Sequence, residues 1–441
     1  METLASVCFV LLYFTMGLYF IEVMLLTLFP KIELCQDIPY TKHSKITFFI
    51  VIPCLNEEGV IGKTVKRMLD LDVPDVRLIV IDDHSSDGTI AALEAVACAV
   101  HINADTINLD AYRGERLILL KRRLPEAQKG KGAALNNAYS LISRIISSED
   151  LDPNKCVVSV FDADVQINAR MLERVAVIMS NRPEIGMVQS RVRIDAHTRN
   201  FFLARMQDFE FFIQINRQQN MREYMSTVAA AGNGQFNRFS AIDPHLPWTA
   251  CLLEDFDFST RLLLKGWHTS LLQSEWVYQQ GVLDYRAFLK QRARWCQGGI
   301  QCFHFFQDIW HSSHLPLSGK LELTFFLFCS CVTMLSLIAL ALCAIACIYF
   351  ALVRENLTAQ MFMPFSTGKL YAAFITILFF AFSPGLLYGI WYYKDAKDEN
   401  LLICVLTGLF NPIYNMLQAP AVIIAIFRQL TGKRNWIKTK H

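Results

Sequence analysis

Two aspartates, Asp162 and Asp164, follow a run of β-branched and aromatic residues and are separated by one alanine. Residues two apart on an extended chain point to the same face, so the two carboxylates are expected to converge. Between apolar neighbours such a pair is costly unless a cation neutralises it, and Mg²⁺ that also binds the phosphates of a substrate has this ligand preference. A solvated turn at a strand end is the explanation that needs no metal.

Other carboxylates stand where proton transfer and base recognition are conceivable. Glu254 and Asp255 open a helical pattern, and a carboxylate there can act as a general base on a sugar hydroxyl. Favourable interaction with the helix dipole is the simpler explanation of both acids. Asp83 follows Asp82 after another apolar run and can accept a hydrogen bond from a nucleobase N–H. A turn followed by a helix cap accounts for that stretch equally well.

A glutamine, an arginine and a tryptophan share one face of a helical pattern that extends from Asp284 to about Trp310. Gln291 precedes Arg294 and Trp295 by three and four residues, which stacks the three side chains. A guanidinium can hold a departing diphosphate, and an indole is a platform for the apolar face of a sugar. A helix with one buried aromatic side chain is the alternative.

Lys131 lies between Gly130 and Gly132 at the start of a further helical pattern. Small flanking residues allow close backbone approach, so the lysine and the helix N-terminus together suit a phosphate or nucleotide. A flexible basic loop after Lys121–Arg123 is the alternative. The chain lacks GxGxxG and GxxxxGK[ST] at a strand-to-helix turn, which argues against dinucleotide and P-loop sites.

These candidate residues follow four short apolar runs, each succeeded by a helical pattern. The runs are Thr47–Ile52, Val76–Ile81, Leu117–Leu120 and Cys156–Phe161. Strands that are almost continuously apolar and alternate with helices predict an α/β fold with a parallel sheet covered on both faces. Ligands of such sheets bind beyond the carboxyl ends of the strands, where three of the acidic or glycine-rich stretches lie.

Long apolar segments flank this region. The chain is 53% hydrophobic, yet its 42 basic and 40 acidic residues are unevenly distributed. Leu4–Phe29 contains one charge, Glu22, and three later runs contain none: Leu323–Val353, Leu370–Tyr393 and Leu401–Phe427. Each exceeds the roughly 20 residues that span a bilayer as a helix. We therefore predict a transmembrane anchor over 1–30 and transmembrane helices over 321–429, with a globular domain between them and helices over 284–320 near the interface.

The orientation follows from basic residues near the anchor. Its apolar core is too long for a secretory signal, and no basic segment precedes it, so we interpret it as retained. Lys31, Lys42, His43 and Lys45 come directly after it, which places the globular domain in the cytoplasm of a multi-pass protein of the cell membrane. Three single crossings would then leave the basic tail 430–441 outside. Pro412 and Pro420 interrupt the last run, so a re-entrant or interfacial segment with a cytoplasmic tail is the alternative.

Composition excludes other classes. A net charge of +2 gives no reason to expect a nucleic-acid partner, and thirteen scattered cysteines indicate a reducing compartment. A transporter or channel with a nucleotide-binding cytosolic domain is an alternative function. Its ion or proton pathway would usually need intramembrane charges, and the apolar runs carry only Glu22.

Phe201–Asn220 has aromatic residues at helical spacing and is either an interfacial helix or one that faces the core.

Taken together, Asp83, Asp162 with Asp164, Glu254 with Asp255, and Gln291–Trp295 resemble in order and spacing the D, DxD, TED and QxxRW signature of membrane-embedded family 2 glycosyltransferases. This group includes cellulose, hyaluronan and poly-N-acetylglucosamine synthases. The resemblance covers nearly the whole chain and implies a Rossmann-like GT-A transferase domain over 45–283 with a mostly parallel sheet, flanked by transmembrane helices. Leu253 stands where the family has Thr, and His84 where it usually has Gly.

The resemblance also implies residue roles. Nucleotide-sugar binding falls to Pro53, Asn56, Glu57, Asp83, Lys131 and Asp162, with Asp83 on uracil. Asp162 and Asp164 would bind Mg²⁺ or Mn²⁺ together with the UDP. Asp255, beside Glu254, would deprotonate the acceptor hydroxyl. The diphosphate and acceptor would be held by Gln291, Arg294, Trp295, Asn233 and Gly234, the last two within Gly232–Arg238, which is otherwise a glycine turn between strands.

The function implied is inverting transfer from a UDP-sugar, UDP-glucose or UDP-N-acetylglucosamine, by a single in-line displacement at the anomeric carbon. We interpret the chain as a synthase that polymerises a β-linked polysaccharide onto a glycan or lipid-linked acceptor and passes it outward between its helices. The alternative is a glycolipid glycosyltransferase that adds one sugar to a membrane lipid. The same signature serves both reactions.

Overall fold

The computed structural model of this chain describes residues 14, 17–41, 45–73, 75–96, 100–103, 116–329, 331–334, 338 and 367–433. Within them, one sheet is built from the strands β1 Thr47–Cys54, β2 Val76–Asp82, β3 Val100–Asn103, β4 Leu117–Lys121, β5 Cys156–Val160, β6 Ile185–Ile194, β7 Gln235–Arg238 and β8 His268–Gln279. Their order across the sheet is β3-β4-β2-β1-β5-β7-β6-β8.

The helices surround this sheet and continue beyond it. They are α1 Gly17–Leu26, α2 Ile61–Leu69, α3 Thr89–Glu94, α4 Lys131–Ser148, α5 Ala169–Asn181, α6 Phe202–Asp208, α7 Asn216–Met225, α8 Glu254–Leu264, α9 Tyr285–Gln301, α10 Phe306–His311, α11 over 317–329, α12 Thr367–Ala396, α13 Leu401–Leu409 and α14 Asn411–Leu430. The predicted helix from Asp284 to Trp310 is wrong in extent, because a 3-10 turn over Cys302–Phe305 divides it.

The sheet is mostly parallel, as the apolar runs predict. β1, β2, β3, β4 and β5 run the same way, β6 and β8 are parallel to each other, and β7 is antiparallel to both of its neighbours. Alternate residues of β1 enter two separate cores: Phe48, Ile50 and Ile52 pack with α2 and α5, and Phe49 and Val51 pack with α4. Because both faces are covered, the central strands have no polar side, which is why their sequences read as continuous apolar runs.

Strand β6 was not predicted from the sequence, because polar residues are buried among its apolar ones. Gln189, Arg191 and Arg193 are 1%, 6% and 2% exposed. Each of the three makes a tertiary hydrogen bond: Gln189 Nε2 donates to the carbonyl of Asn233 (2.8 Å), Arg191 to that of Gln273 (3.3 Å) and Arg193 to Asp398 (2.5 Å). A buried polar residue is tolerated when it is hydrogen-bonded, and here such residues interrupt the apolar run that would predict the strand.

The segment Phe201–Asn220 is largely a core element. It forms α6, a π-helical stretch over Phe209–Ile215 and the start of α7. Phe209 and Phe212 are fully buried together with residues of α1, α12 and α14, whereas Phe201 and Phe202 remain exposed. The core-facing alternative is therefore the correct one for most of this segment.

An acidic loop joins α12 to α13 and docks on the sheet domain through ion pairs. Asp398 pairs with Arg193 (2.5 Å) and Arg199 (2.9 Å), and Glu399 pairs with Arg205 (2.9 Å). The two helices then leave the loop in close contact, since a Cβ on Gly385 would lie 2.1 Å from the carbonyl oxygen of Gly408. This loop is thus in direct contact with the sheet domain.

One helix in the described part of the chain, Asn411–Leu430, has the length and apolar composition of a membrane span, and Gly17–Leu26 is a shorter apolar helix. Most of the predicted run Leu323–Val353 lies outside the described residues, as do most of the predicted anchor's first sixteen residues and 434–441 of the tail.

The predicted span over Leu401–Phe427 is not one continuous helix, because the chain divides into α13 and α14 at Phe410. The end of α14 also returns to the transferase-like domain: Gln297 on α9 accepts from Arg428 Nε (2.9 Å) and donates to the carbonyl of Lys433 (2.8 Å). This segment is therefore two helices, and the second contacts α9 at its end.

Candidate active site

The loops that follow β1 and β2 interlock at the carboxyl edge of the sheet. Pro53 is still within β1, paired with Ile81, and the chain turns at Asn56, whose φ is 56°. The Asn56 backbone N–H donates to Ser85 Oγ (3.0 Å), and that of Glu57 donates to Thr89 Oγ1 (2.8 Å). The predicted nucleotide-binding residues of the first loop are therefore held against the loop that carries Asp83.

Asp83 is buried and its carboxylate has a fixed partner. Arg122, just past β4, forms an ion pair with Asp83 Oδ1, and the Gln128 backbone N–H donates to the same oxygen (3.0 Å). The other nitrogens of Arg122 donate to Asn137 Oδ1 and to the carbonyl of Glu126 (both 2.6 Å). Among the described residues, both partners of Asp83 use Oδ1, so Oδ2 is the oxygen available to a ligand. From the sequence, Arg122 was predicted only to belong to a basic loop.

Lys131 joins three of the predicted site elements. It is the first residue of α4, and its Nζ donates to Asp162 Oδ1 (2.7 Å) and to the carbonyl of Gly232 (2.8 Å). Burial by itself lowers the pKa of Lys131, but the charges of Asp162, Glu254 and Asp255 outweigh it and raise that pKa. The ammonium group is therefore a permanent cation among these carboxylates.

Asp255 lies on the other side of Gly232. Gly232 has φ +73°, and a Cβ there would lie 2.9 Å from Asp255 Oδ2 and 3.7 Å from Lys131 Nζ. Burial, followed by the charge of Glu254, raises the pKa of Asp255 to about 7. A carboxylate that gains and loses its proton near neutral pH has the affinity that general-base catalysis requires. Glu254 itself is buried at the start of α8.

Asp162 and Asp164 are held by different partners. Asn233 accepts from the Asp162 backbone N–H (3.3 Å) and donates to Gln279 (2.9 Å), while the Gln280 backbone N–H donates to Asp164 Oδ2 (2.7 Å). The Asn233 side chain is thus engaged within the protein. The neighbouring Gly234 has φ +71°, and a Cβ there would lie 2.0 Å from Ser190 Oγ, so it too is shaped by packing.

Asp162 and Asp164 lie in a turn and not on the predicted extended chain, since the Val165 backbone N–H donates to the Asp162 carbonyl (3.2 Å). The Asp162 side chain is 44% exposed, so it can offer an oxygen beyond its bond to Lys131. No group of three or more Cys, His, Asp or Glu side chains suited to a metal occurs in the described part of the chain. Two carboxylates with the remaining positions left to phosphate and water are what Mg²⁺ accepts, so the residues fit an ion that the substrate completes.

Gly132 and Asn136 of α4 have a packing role. A Cβ on Gly132 would lie 2.3 Å from the carbonyl oxygen of Thr249. Asn136 donates to the carbonyl of Trp248 and accepts from its backbone N–H (both 2.9 Å). The close approach predicted for the glycine therefore brings α4 against the loop that leads into α8, which holds Lys131 near Asp255.

Helix α9 bridges the two sides of this site. Its preceding loop binds Asp164 through Gln280, and Gln301 at its end accepts from the Leu252 backbone N–H (2.9 Å). Gly298 follows Gln291 by seven residues and therefore shares the face of Gln291, Arg294 and Trp295. A Cβ on Gly298 would lie 2.6 Å from the backbone nitrogen of Leu253, so this face packs directly against the start of α8.

Replacing Gly298 by Ala is expected to reduce turnover roughly tenfold or more, because misplacing site residues by about 1 Å costs up to 10²-fold. The new Cβ meets the backbone of Leu252 and Leu253, which cannot rotate aside. Circular dichroism of the purified variant shows whether it is folded, and its kcat gives the loss of turnover. Gly59→Ala is the control, since a Cβ at Gly59 meets nothing within 4 Å. Equal kcat for the two variants would contradict this packing role.

Arg292 is a site-supporting residue that the sequence analysis did not select. It is buried and donates to Glu210 Oε1 (2.6 Å) and to the Tyr414 hydroxyl (3.2 Å). Its guanidinium lies 4.5 Å from the centre of the Trp295 ring. Two arginines flank one alanine in Gln291–Trp295, and only the fold shows that Arg292 is buried while Arg294 is half-buried.

Two protein-family models match this chain. The family profile described as Glycosyl transferase family group 2 matches residues 157–392, and that of Glycosyl transferase family 2 matches residues 49–244. A mannosyltransferase from Pyrobaculum calidifontis, solved with GDP-Man and Mn²⁺, has a TM-score of 0.60 at 15% identity over 98% of this chain and 99% of that one. That likeness confirms the GT-A-like α/β fold.

Curated relatives include beta-monoglucosyldiacylglycerol synthases. The one of Trichormus variabilis is 32% identical over 263 residues, 59% of this chain and 50% of the relative. The one of Synechocystis is 29% identical over 63% of this chain and 53% of the relative. The chain thus spans about half the length of these relatives. Since one profile covers more than half of the 441 residues, including the DxD, acidic-pair and QxxRW stretches, the chain belongs to glycosyl transferase family group 2.

Proposed function

We propose that this protein transfers one hexose from a UDP-sugar to a diacylglycerol-type membrane lipid with inversion at the anomeric carbon. The proposal rests on the arrangement around Gly232, where Asp255 lies close to the ion pair of Lys131 with Asp162. This arrangement puts a proton acceptor and a diphosphate-binding cation on either side of one point. The relatives named as glucolipid synthases favour a lipid acceptor and glucose as the sugar.

This proposal reverses the order of the two functions considered from the sequence. Polymer and glycolipid synthesis use the same displacement, so the site residues by themselves favour neither. The preference for a polysaccharide rested on resemblance to polymer synthases, whereas the relatives found by comparison carry the names of glycolipid synthases. We therefore propose transfer of a single sugar to a lipid as the function, and synthesis of a polysaccharide as the alternative.

The proposed reaction assigns each proton and charge to a residue. Asp255 accepts the proton of the acceptor hydroxyl as that oxygen attacks the anomeric carbon, and the bond to the UDP oxygen breaks on the opposite side. Lys131 and Arg294 stabilise the negative charge that develops on the diphosphate. A divalent ion between Asp162, Asp164 and the diphosphate would supply further neutralisation when bound. The Trp295 indole supports the acceptor through its apolar face.

The hydrogen bonds of Asp83 favour uridine as the donor nucleoside. Uracil presents one N–H between two carbonyl oxygens, whereas guanine presents two adjacent N–H groups that would engage both oxygens of a carboxylate. Arg122 and the Gln128 backbone N–H already use Oδ1, which leaves Oδ2 to accept one bond. Sites that hydrogen-bond a particular group reject analogues that do not match it.

A membrane location completes the proposal. The outer face of α14 exposes the apolar side chains of Ile413, Met416, Ile423, Phe427 and Leu430. Apolar faces of this size in one helix suit the lipid interface. We infer that α14 lies along the membrane on the catalytic side, with the transferase domain in the cytoplasm beside the acidic loop and basic Lys31. Additional crossings by the apolar runs remain part of the proposal.

The test is transfer from labelled UDP-glucose by the full chain in membranes supplied with diacylglycerol and Mg²⁺ or Mn²⁺. We expect one product that partitions into organic solvent, carries one sugar and is cleaved by a β-glucosidase. The kcat/KM for GDP-glucose should be lower than that for UDP-glucose by a factor of about 10² or more. Alcohol-insoluble chains would instead support the polysaccharide, and absence of UDP release from every UDP-sugar of a panel would contradict both functions.

A further inference from the structure

We infer that Arg292, Glu210 and Tyr414 are positioning residues that set the orientation of the Trp295 indole, so that helix α14 shapes the acceptor site it does not itself line. This inference rests on the proposed function, because it concerns binding of the acceptor at that same site. It also gives a role to an ion pair and a tyrosine that the proposed chemistry leaves unused.

The three side chains form a closed ring of hydrogen bonds. Arg292 donates from one nitrogen to Glu210 Oε1 (2.6 Å) and from another to the Tyr414 hydroxyl (3.2 Å). The hydroxyl in turn donates to Glu210 Oε2 (2.6 Å). Each member of the ring contacts the other two, which fixes the plane of the guanidinium.

The guanidinium is also the base of an aromatic stack. Its central carbon lies 4.5 Å from the Trp295 ring centre, 4.9 Å from that of Phe288 and 5.3 Å from that of Phe211. Phe211 contacts Trp295 as well, with ring centres 5.9 Å apart. A planar cation that packs against an aromatic face restrains the tilt of that aromatic side chain. Because the hydrogen bonds to Glu210 and Tyr414 fix the plane of the guanidinium, they also restrain the orientation of the indole.

The ring joins three separate parts of the chain. Arg292 is on α9, Glu210 is in the π-helical stretch, and Tyr414 is one turn from the start of α14. Tyr414 is fully buried, while Ile413 and Met416 on either side of it are 47% and 62% exposed. Helix α14 therefore has one face on the site helix and another on the exterior. A shift of this helix would move the hydroxyl and release the guanidinium.

The consequence is specific to the acceptor. Asp83, Lys131 and Asp162, which are assigned to the donor, form their hydrogen bonds and ion pairs with residues outside this ring. Without the Tyr414 hydroxyl, Arg292 remains paired with Glu210, but the plane of its guanidinium is no longer fixed. The Trp295 indole that supports the acceptor is then held less firmly in one orientation. Removing an interaction that binds substrate and transition state equally raises KM and leaves kcat unchanged.

Tyr414→Phe in the full chain tests the inference, with Tyr392→Phe as a matched control. Tyr392 is equally buried, belongs to the same aromatic core and donates to a carboxylate, Asp208, at the same 2.6 Å. Both variants lose one buried hydroxyl, so their melting temperatures should fall alike. We expect the KM for diacylglycerol to rise about tenfold in Tyr414→Phe, the cost of one hydrogen bond to a charged group. The KM for UDP-glucose, kcat and all constants of Tyr392→Phe should change less than twofold.

Arg292→Lys is the second variant, because it keeps the charge and loses the planar fork. It should raise the acceptor KM at least as much as Tyr414→Phe, and thermal melting shows that each variant is folded under the assay conditions. Equal acceptor KM values for wild type, Tyr414→Phe and Arg292→Lys would overturn the inference while leaving the proposed function intact. An inactive wild type would overturn the proposed function and the inference with it.

Discussion

Replacing Asp255 by Asn is expected to lower kcat by about 10²- to 10⁴-fold, the usual contribution of a positioned general base. Asn has the same shape but cannot accept the proton of the acceptor hydroxyl. The measurement is the rate of UDP release with saturating donor and acceptor. Wild-type kcat should fall below pH 7, because Asp255 has a pKa of about 7 and only its ionised form is active. The residual rate of the variant should lack this acidic limb.

The same substitution should stabilise the fold at neutral pH and above. The folded-state pKa of Asp255 is raised above its ordinary value of 3.8, so the protonated carboxyl contributes stability at low pH that is lost as pH rises towards 7. Asn has no charge to bury. The melting temperature of the variant should therefore exceed that of wild type at pH 8 and equal it near pH 3.

Asp257→Asn is the matched control for this experiment. Asp257 is in the same turn of α8, but it is paired with Arg261 (2.9 Å), whereas the carboxylates that act on Lys131 are Asp162, Glu254 and Asp255. Its replacement should lower the melting temperature and change kcat only a few-fold. If Asp255→Asn retained wild-type turnover and its acidic limb, the general base would have to be another group.

Replacing Lys131 by Met is expected to lower kcat about 10²- to 10³-fold, the scale found when one donor that stabilises developing charge is removed. The loss should be accompanied by a shift of the pH profile. The charge of Lys131 lowers the pKa of Asp255, so its removal raises that pKa and moves the acidic limb of the residual activity to higher pH. A pH series of kcat for the variant measures both effects.

Lys129→Met is the control, because Lys129 is exposed and its ion-pair partner within the described part of the chain is the nearby Glu126. It should leave kcat and its pH profile unchanged. Lys131 also ties Asp162 to the Gly232 carbonyl, so a melting curve is needed to show that the Lys131 variant remains folded. A folded Lys131→Met protein with an unshifted acidic limb would mean that Lys131 and Asp255 do not share one site.

The central strands were predictable, because a strand that is buried on both faces has a continuous run of apolar residues. The four apolar runs became β1, β2, β4 and β5, and the acidic residues that follow them lie at one edge because parallel strands end there together. The helix carrying Gln291 and Trp295 was also predictable, since its polar stripe has a helical period. Its end at Gln301 was not, because a 3-10 turn lacks a periodic signature.

Buried polar residues were the main obstacle to prediction. Arg122, Arg191 and Arg292 each have charged side chains that a sequence pattern assigns to the surface, yet all are less than a tenth exposed. Their partners lie far along the chain, such as Asp83 for Arg122 and Glu210 for Arg292. No local pattern links residues separated by 39 or 82 positions.

The amino-acid sequence by itself determined which residue types were available for chemistry and that the strands preceding them would be parallel, because local periodicity and burial decide those features. Only the tertiary structure decided that Lys131 would sit between Asp162 and Gly232 beside Asp255, and that α14 would return to α9. The physical reason is that each of these contacts is made between segments distant in sequence, where close packing at glycines and the pairing of buried charges set the geometry.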